Sequence, residues 1–164
     1  MSDFVITDGV LAMYLGEDSN VIIPDGVERI DCEAFACDRQ LSTVTMPNSV
    51  RSIGEYAFVA CENLVSVKLP DELLEICNGA FFDCFNLRDI AIPYGVRQIG
   101  DHAFAHCWNI TTITIPDTVR NIGAAAFYDC RKLKEVYLAD RVQEIGQQAF
   151  ALCKQLQIIQ TTQY

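Results

Sequence analysis

The chain has 164 residues, 51% of them hydrophobic, and its 22 acidic side chains against 12 basic ones give a formal net charge of −10. That is enough apolar material for one folded domain and too much for a disordered chain. The acid excess disfavours phosphate backbones and anionic lipid surfaces, which need clustered Lys and Arg, so nucleic acid is not an expected partner.

No run of about 18 apolar residues occurs, so membrane insertion is not expected. The start, MSDFVITDGV, has an early acid, no basic flank and no small-residue cleavage site, and the chain as written is expected in the cytoplasm. Residues 4–15, FVITDGVLAMYL, read as two short strands around a Thr-Asp-Gly turn, a hairpin that would cover whatever follows.

Beyond it the sequence repeats every 23 residues. Pro24, Pro47, Pro70, Pro93 and Pro116 recur without a slip, and Ala139 takes the sixth place. Ile30, Ile53, Ile76, Ile99, Ile122 and Ile145 keep the same register, as do Phe35, Phe58, Phe81, Phe104, Phe127 and Phe150, each preceded by Ala. Cys61, Cys84, Cys107, Cys130 and Cys153 follow the last five of these Phe residues by three positions.

Within one unit, LSTVTMP (41–47) alternates Val44 and Met46 with Thr43 and Thr45, the period-two pattern of a strand. The following Pro lacks an amide donor and ends that strand in a turn. Val50, Ile53 and Gly54 predict a second short extended piece, and the Ala-rich EYAFVAC after it predicts one or two helical turns. One such unit cannot bury its own apolar face, so copies must stack, with equivalent residues forming ladders through a continuous core. At the end, QLQIIQTTQY begins another strand in which Thr161 replaces an apolar residue, so the edge is either blunted there or continued by further chain.

The unit, as in IPDTVRNIGAAAFYDCRKLKEV (115–136), resembles the BspA-like leucine-rich repeat, with six in-phase copies over residues 21–161. The resemblance implies an α/β repeat solenoid: a right-handed coil of leucine-rich-repeat type with a parallel β-sheet on one face and short helical turns on the other. It would form one domain, with residues 1–20 as a hairpin cap and residues 21–164 as about six repeats. Other leucine-rich repeats carry an Asn ladder soon after the strand; here Ser49, Glu72, Gly95, Thr118 and Arg141 hold that place. Members of the family are often surface adhesins of host-associated microbes, which sets a cell-surface alternative against the cytoplasmic reading.

Eight cysteines in a short chain with a thin core would read as a secreted disulfide framework, but the rich core and the in-phase spacing here point to a ladder of small buried side chains carrying free thiols. DHAFAHC (101–107) places His102 and His106 four residues apart beside Cys107. A zinc site needs a third protein ligand, and Cys107 is expected to point inward, so neither metal nor cofactor is expected. The two histidines fall in columns read as solvent-facing and unconstrained. No phosphate loop or nucleophile elbow occurs, and the chain is not expected to be an enzyme.

The expected function is a binding scaffold for another protein, with a host or cell-surface protein or a glycan as the candidate partners. The alternative is a structural or self-associating module, or part of a longer surface protein. Two surfaces are candidates for partner binding. Outward strand positions include Thr45, Lys68, Thr114 and Tyr137, and Phe85 and Trp108 form an aromatic patch on the opposite side in a column otherwise held by Arg39, Glu62, Arg131 and Lys154.

Overall fold

The computed structural model describes residues 3–162. A hairpin of β1 (Phe4–Thr7) and β2 (Val10–Tyr14) precedes a stack of 23-residue coils whose strands pair in parallel on two faces of the stack. The strand face holds β3 (Asn20–Ile22), β5 (Thr43–Thr45), β7 (Ser66–Lys68) and β9 (Asp89–Ile90) in one sheet. It continues as β11 (Thr112–Ile115), β13 (Glu135–Ala139) and β15 (Ile158–Thr162) in another. Across the core lie β4 (Arg29–Ile30), β6 (Ser52–Ile53), β8 (Glu75–Ile76), β10 (Gln98–Ile99), β12 (Asn121–Ile122) and β14 (Glu144–Ile145), and the hairpin joins this sheet through β2 and β4. The parallel registers pair residues 23 apart, as in Val44 with Val67 and Ile99 with Ile122, so the repeat period is the rise of one coil.

The core is a set of ladders. Phe35, Phe58, Phe81, Phe104, Phe127 and Phe150 stack with ring centroids 4.7 to 5.3 Å apart and planes within 13° of parallel. At the first coil Tyr14 of β2 lies 5.2 Å from Phe35, and Phe4 lies 5.1 Å from Tyr14, so the hairpin continues the aromatic stack outward.

The helical turns expected after each Gly column do not form, and the α/β assignment gives way to a β-solenoid: no helix occurs among the described residues. Backbone bonding shows why. In the coil around Phe58, Ala57, Val59 and Cys61 donate to carbonyls three residues back, Gly54, Tyr56 and Phe58. The alternate amides of Tyr56, Phe58 and Ala60 leave the turn and donate to Asn78, Ala80 and Phe82 of the next coil. Half of the amides that an α-helix would use are committed between coils. This alternation needs a left-handed residue every fourth position, and Tyr56 and Ala60 (φ 55° and 54°), like His102 and His106 (φ 55° and 61°), supply it. The columns read as unconstrained are therefore the ones whose backbone is most constrained.

Coils approach closely at the glycine column. A Cβ on Gly54 would lie 2.8 Å from both the Asp31 carbonyl carbon and the Cys32 amide nitrogen, and one on Gly123 would run into the Asp101 amide nitrogen. Asp31 faces the hairpin instead of a preceding coil, with its amide bonded to Leu11. Cys77 is the exception, half-buried with its thiol pushed up to about 11 by burial. Gly123→Ala is expected to force the two backbones apart at a cost of about 1–3 kcal/mol. A denaturation midpoint unchanged by the substitution would show that the coils are not in such contact.

Side chains tie coil to coil as well. Asn63, Asn86 and Asn109 donate from Nδ2 to the carbonyls of Arg39, Glu62 and Phe85 in the preceding coil, at 2.7 to 2.9 Å. A short Asn ladder therefore exists, two residues after Cys61, Cys84 and Cys107 instead of soon after the strand. In the place where it was sought, the Ser49 and Thr118 hydroxyls donate to Val27 and Val96 carbonyls at 2.7 and 2.8 Å.

Candidate functional site

Two surfaces carry the side chains singled out in the sequence. On the turn side, the left-handed positions 106 and 129 are adjacent rungs, and their side chains meet: His106 Nδ1 lies 3.2 Å from Asp129 Oδ2. Asp129 is a buried carboxylate that also accepts from Trp108 Nε1 at 3.1 Å and from Arg131 Nε at 3.1 Å, with the outer Arg131 nitrogen at 3.0 Å. Burial alone would raise its pKa, but the bonds from Arg131, His106 and Trp108 outweigh burial and hold the carboxyl below its usual range.

The aromatic patch belongs to this cluster. Phe85 stacks on one face of the Trp108 ring with centroids 4.2 Å apart, and the Arg131 guanidinium covers the other at 4.1 Å. Phe85 and Trp108 are both half-buried, so the surface presents ring edges and a guanidinium instead of open aromatic faces. His102 and His106 flank Phe82 edge-on at 6.2 and 5.4 Å, and Tyr128 packs edge-on against His106 at 5.7 Å. His106, read as incidental, is thus a working part of the turn-side packing.

The structure separates the His pair from the thiol. Cys107 is fully buried and its Sγ donates to the Phe81 carbonyl at 3.2 Å. Cys61, Cys84, Cys130 and Cys153 repeat this bond to the Phe carbonyl 26 residues earlier, at 3.0 to 3.3 Å. The ladder thiols do more than fill space, because each gives a second donor to a Phe carbonyl that already accepts the amide three residues on. Burial pushes Cys61 up to about 12 and drives Cys84 and Cys107 upward. Among the described residues no group of three or more His, Cys, Asp or Glu side chains is arranged to hold a metal ion.

Two cysteines stand outside the ladder at the first coil. Cys37 is exposed at a left-handed position, and Asp38 takes the thiol's rung, accepting from the Gln40 and Leu41 amides at 2.9 and 3.1 Å. Cys32 is also exposed. In a thiol-reagent titration Cys32 and Cys37 are expected to react at once, and the five ladder thiols only on unfolding. Fast reaction of more than three thiols in the folded chain would contradict the ladder.

On the strand face, Thr45 lies opposite Lys68, and Thr114 opposite Tyr137, on adjacent coils. Lys68 and Thr114 are exposed, and Thr45 and Tyr137 are half-buried. Tyr137 donates its hydroxyl to Glu135 at 2.9 Å. The sheet is interrupted between β9 and β11, which are not paired with each other, and a shallow recess of about 480 Å³ beside this seam is lined by Lys68, Arg88, Asp89 and Ala91. Thr45, Lys68, Thr114 and Tyr137 thus lie on one face, with the seam between the first two and the last two. Phe85 and Trp108 lie on the other side of the coil.

Among curated proteins none matches the chain. Among solved structures it is similar to a leucine-rich repeat protein of T. pallidum, with 31% identity over 90% of this chain and 82% of that one and a TM-score of 0.81. A leucine-rich repeat protein from Bacteroides ovatus is 27% identical over 95% of this chain, with a TM-score of 0.76. A leucine-rich cell surface protein from Faecalibacterium prausnitzii is 26% identical over 95%, with a TM-score of 0.68. The chain spans about half the length of each of the last two, 52%. No helix among the described residues is long and apolar enough to cross a membrane. The model of the BspA type leucine-rich repeat region matches residues 17–134 and 74–163 in six copies, and with the in-phase ladders it shows that this chain belongs to the BspA type leucine-rich repeat family.

Proposed function

We propose that this chain is a non-catalytic scaffold that binds another protein on its strand face, around Thr45, Lys68, Thr114 and Tyr137. Leucine-rich repeat proteins generally mediate protein–protein interaction, and the choice of face rests on which polar groups are already committed. On the turn side, His106, Arg131 and the Trp108 N–H all bond to Asp129, and both faces of the indole are covered. Neither face of the indole is left open for a sugar ring, which makes a glycan a poor fit for Trp108. Among the described residues, Lys68 has no ion-pair partner and Thr114 makes no side-chain hydrogen bond, so both are available to a partner. The same reading sets the chain at a bacterial cell surface, supported by its likeness to the F. prausnitzii cell surface protein.

The test uses the immobilised chain against a panel of purified surface and secreted proteins, followed by two variants on any binder found. Lys68→Glu combined with Thr114→Arg is expected to weaken binding at least about tenfold, the effect of losing a few interfacial contacts. Trp108→Ala is expected to leave the affinity within about twofold. The reverse pattern would move the binding face to the turn side.

A further inference from the structure

One column of the stack holds Arg51, Leu74, Arg97 and Arg120 on successive coils, each just before one of the short strands β6, β8, β10 and β12. Their backbones are direct neighbours: the Leu74 amide donates to the Arg51 carbonyl, Arg97 to Leu74 and Arg120 to Arg97, at 2.8 to 2.9 Å. Successive rungs are thus about 5 Å apart. Leu74 stands between two of the arginines with 41% of its surface exposed, and Arg51, Leu74 and Arg97 line one recess of about 450 Å³ together with Ser52, Glu75 and Gln98. We infer that this strip is a second docking surface, and that its partner is an extended peptide segment with carboxylates on either side of an apolar side chain. The inference adds a surface to the strand-face reading and does not rest on it.

The arginines differ in what they already bind. Arg51 and Arg120 turn back onto their own coil, each donating from Nη1 to the carbonyl three residues earlier, that of Asn48 at 2.7 Å and that of Asp117 at 2.6 Å. Arg51 also lies 3.9 Å from Glu72. Arg97 does not make the equivalent bond to Tyr94, and among the described residues its guanidinium has no hydrogen bond or ion pair. A planar fork of free N–H donors beside an exposed leucine fits a carboxylate, which accepts two parallel bonds from it. Tyr94, on the turn that leads into Arg97, is 65% exposed and extends the apolar surface there.

Charge decides between a peptide and a bare polyanion. The strip places three of the 12 Lys and Arg side chains in one column of a chain whose net charge is −10, so it is a local cationic feature on an acidic molecule. Glu75 lies in the recess itself, and a nucleic acid or a sulfated glycan would meet that carboxylate and the overall negative charge along with the arginines. A peptide complements the whole set. Its carboxylates pair with Arg97 and Arg51, its apolar side chain covers Leu74, and its backbone amides find acceptors in Glu75 and Gln98. Neighbouring rungs in a straight column suit an extended segment that runs along the stack.

Fluorescence anisotropy of the full chain with a labelled peptide that carries one leucine between two aspartates tests this. Binding is expected, weaker as salt is added and lost when asparagines replace the aspartates. Arg97→Ala is expected to weaken it at least about fivefold, the effect of losing a charge-assisted pair, and Leu74→Ser at least about threefold through lost apolar contact. Both side chains are exposed and neither makes a side-chain hydrogen bond within the chain, so both variants should fold, as circular dichroism would check. Lys68→Gln, on the strand face, is expected to leave the affinity within about twofold. Loss of binding in Lys68→Gln with Arg97→Ala unchanged would move the peptide to the strand face and overturn the inference. So would no binding to the wild type, equal affinity for the asparagine peptide, or tighter binding of a glutamate homopolymer of the same length than of the leucine peptide.

Discussion

Phe104→Ala is expected to lower the stability of the chain by about 3–5 kcal/mol, the range for removing a fully buried Phe from a packed core. Phe104 is 0% exposed and lies between Phe81 and Phe127, at 5.3 and 5.2 Å. Its truncation leaves a cavity that neither neighbour can fill, because each ring is already held by the next rung. Coils in a solenoid contact mainly their neighbours, so the loss falls on the two interfaces around the fourth coil. Phe150→Ala, at the half-buried end of the stack, is expected to cost clearly less. Chemical denaturation of both variants checks this. Equal losses at the two positions would mean that the stack is not built of nearest-neighbour contacts.

Asp129→Asn is expected to destabilise by about 2–3 kcal/mol at neutral pH, because a buried carboxylate accepting charge-assisted bonds loses its charge. With the Asp129 carboxyl held below its usual range in the folded chain, its stabilisation is complete above the ordinary unfolded pKa of about 3.9 and is lost as pH falls through the lower folded value. The gap between wild type and variant should therefore be constant from pH 7 to about 5 and close as the solution is acidified further. Denaturation midpoints of the two proteins across that range are the check, and a gap that widened toward acid would contradict the assigned sign. Trp108 fluorescence offers a second readout, since the same change replaces the charged acceptor of its N–H by a neutral amide.

The stacking was legible because a period of 23 with no slip leaves one arrangement: residues 23 apart must be neighbours. That rule also held the turn-side cluster, since His106 and Asp129 differ by 23, as do Arg39 and Glu62, which form an ion pair at 3.2 Å. Reading each column separately for its average character hid this, and Asp129 passed as one more surface residue. The absence of helix was not legible in the same way. EYAFVAC has the composition of a helix, and its alternate amides are diverted by bonds to the next coil that local propensity does not register. The polar residues at positions 83, 106 and 129 were the available signal, because Asp and His tolerate the left-handed backbone found there. The thiol ladder was read correctly as buried, but its bonds to the Phe carbonyls depend on a 26-residue offset that only the stacked geometry reveals.

The most direct test of the architecture is nuclear magnetic resonance coupling across backbone hydrogen bonds. The stacked-turn account predicts couplings from the Phe58 amide to the Ala80 carbonyl, from Phe81 to Ala103 and from Phe104 to Ala126, each bond being 2.7 or 2.8 Å. Couplings from those amides to the carbonyls four residues earlier would instead show helical turns and contradict it.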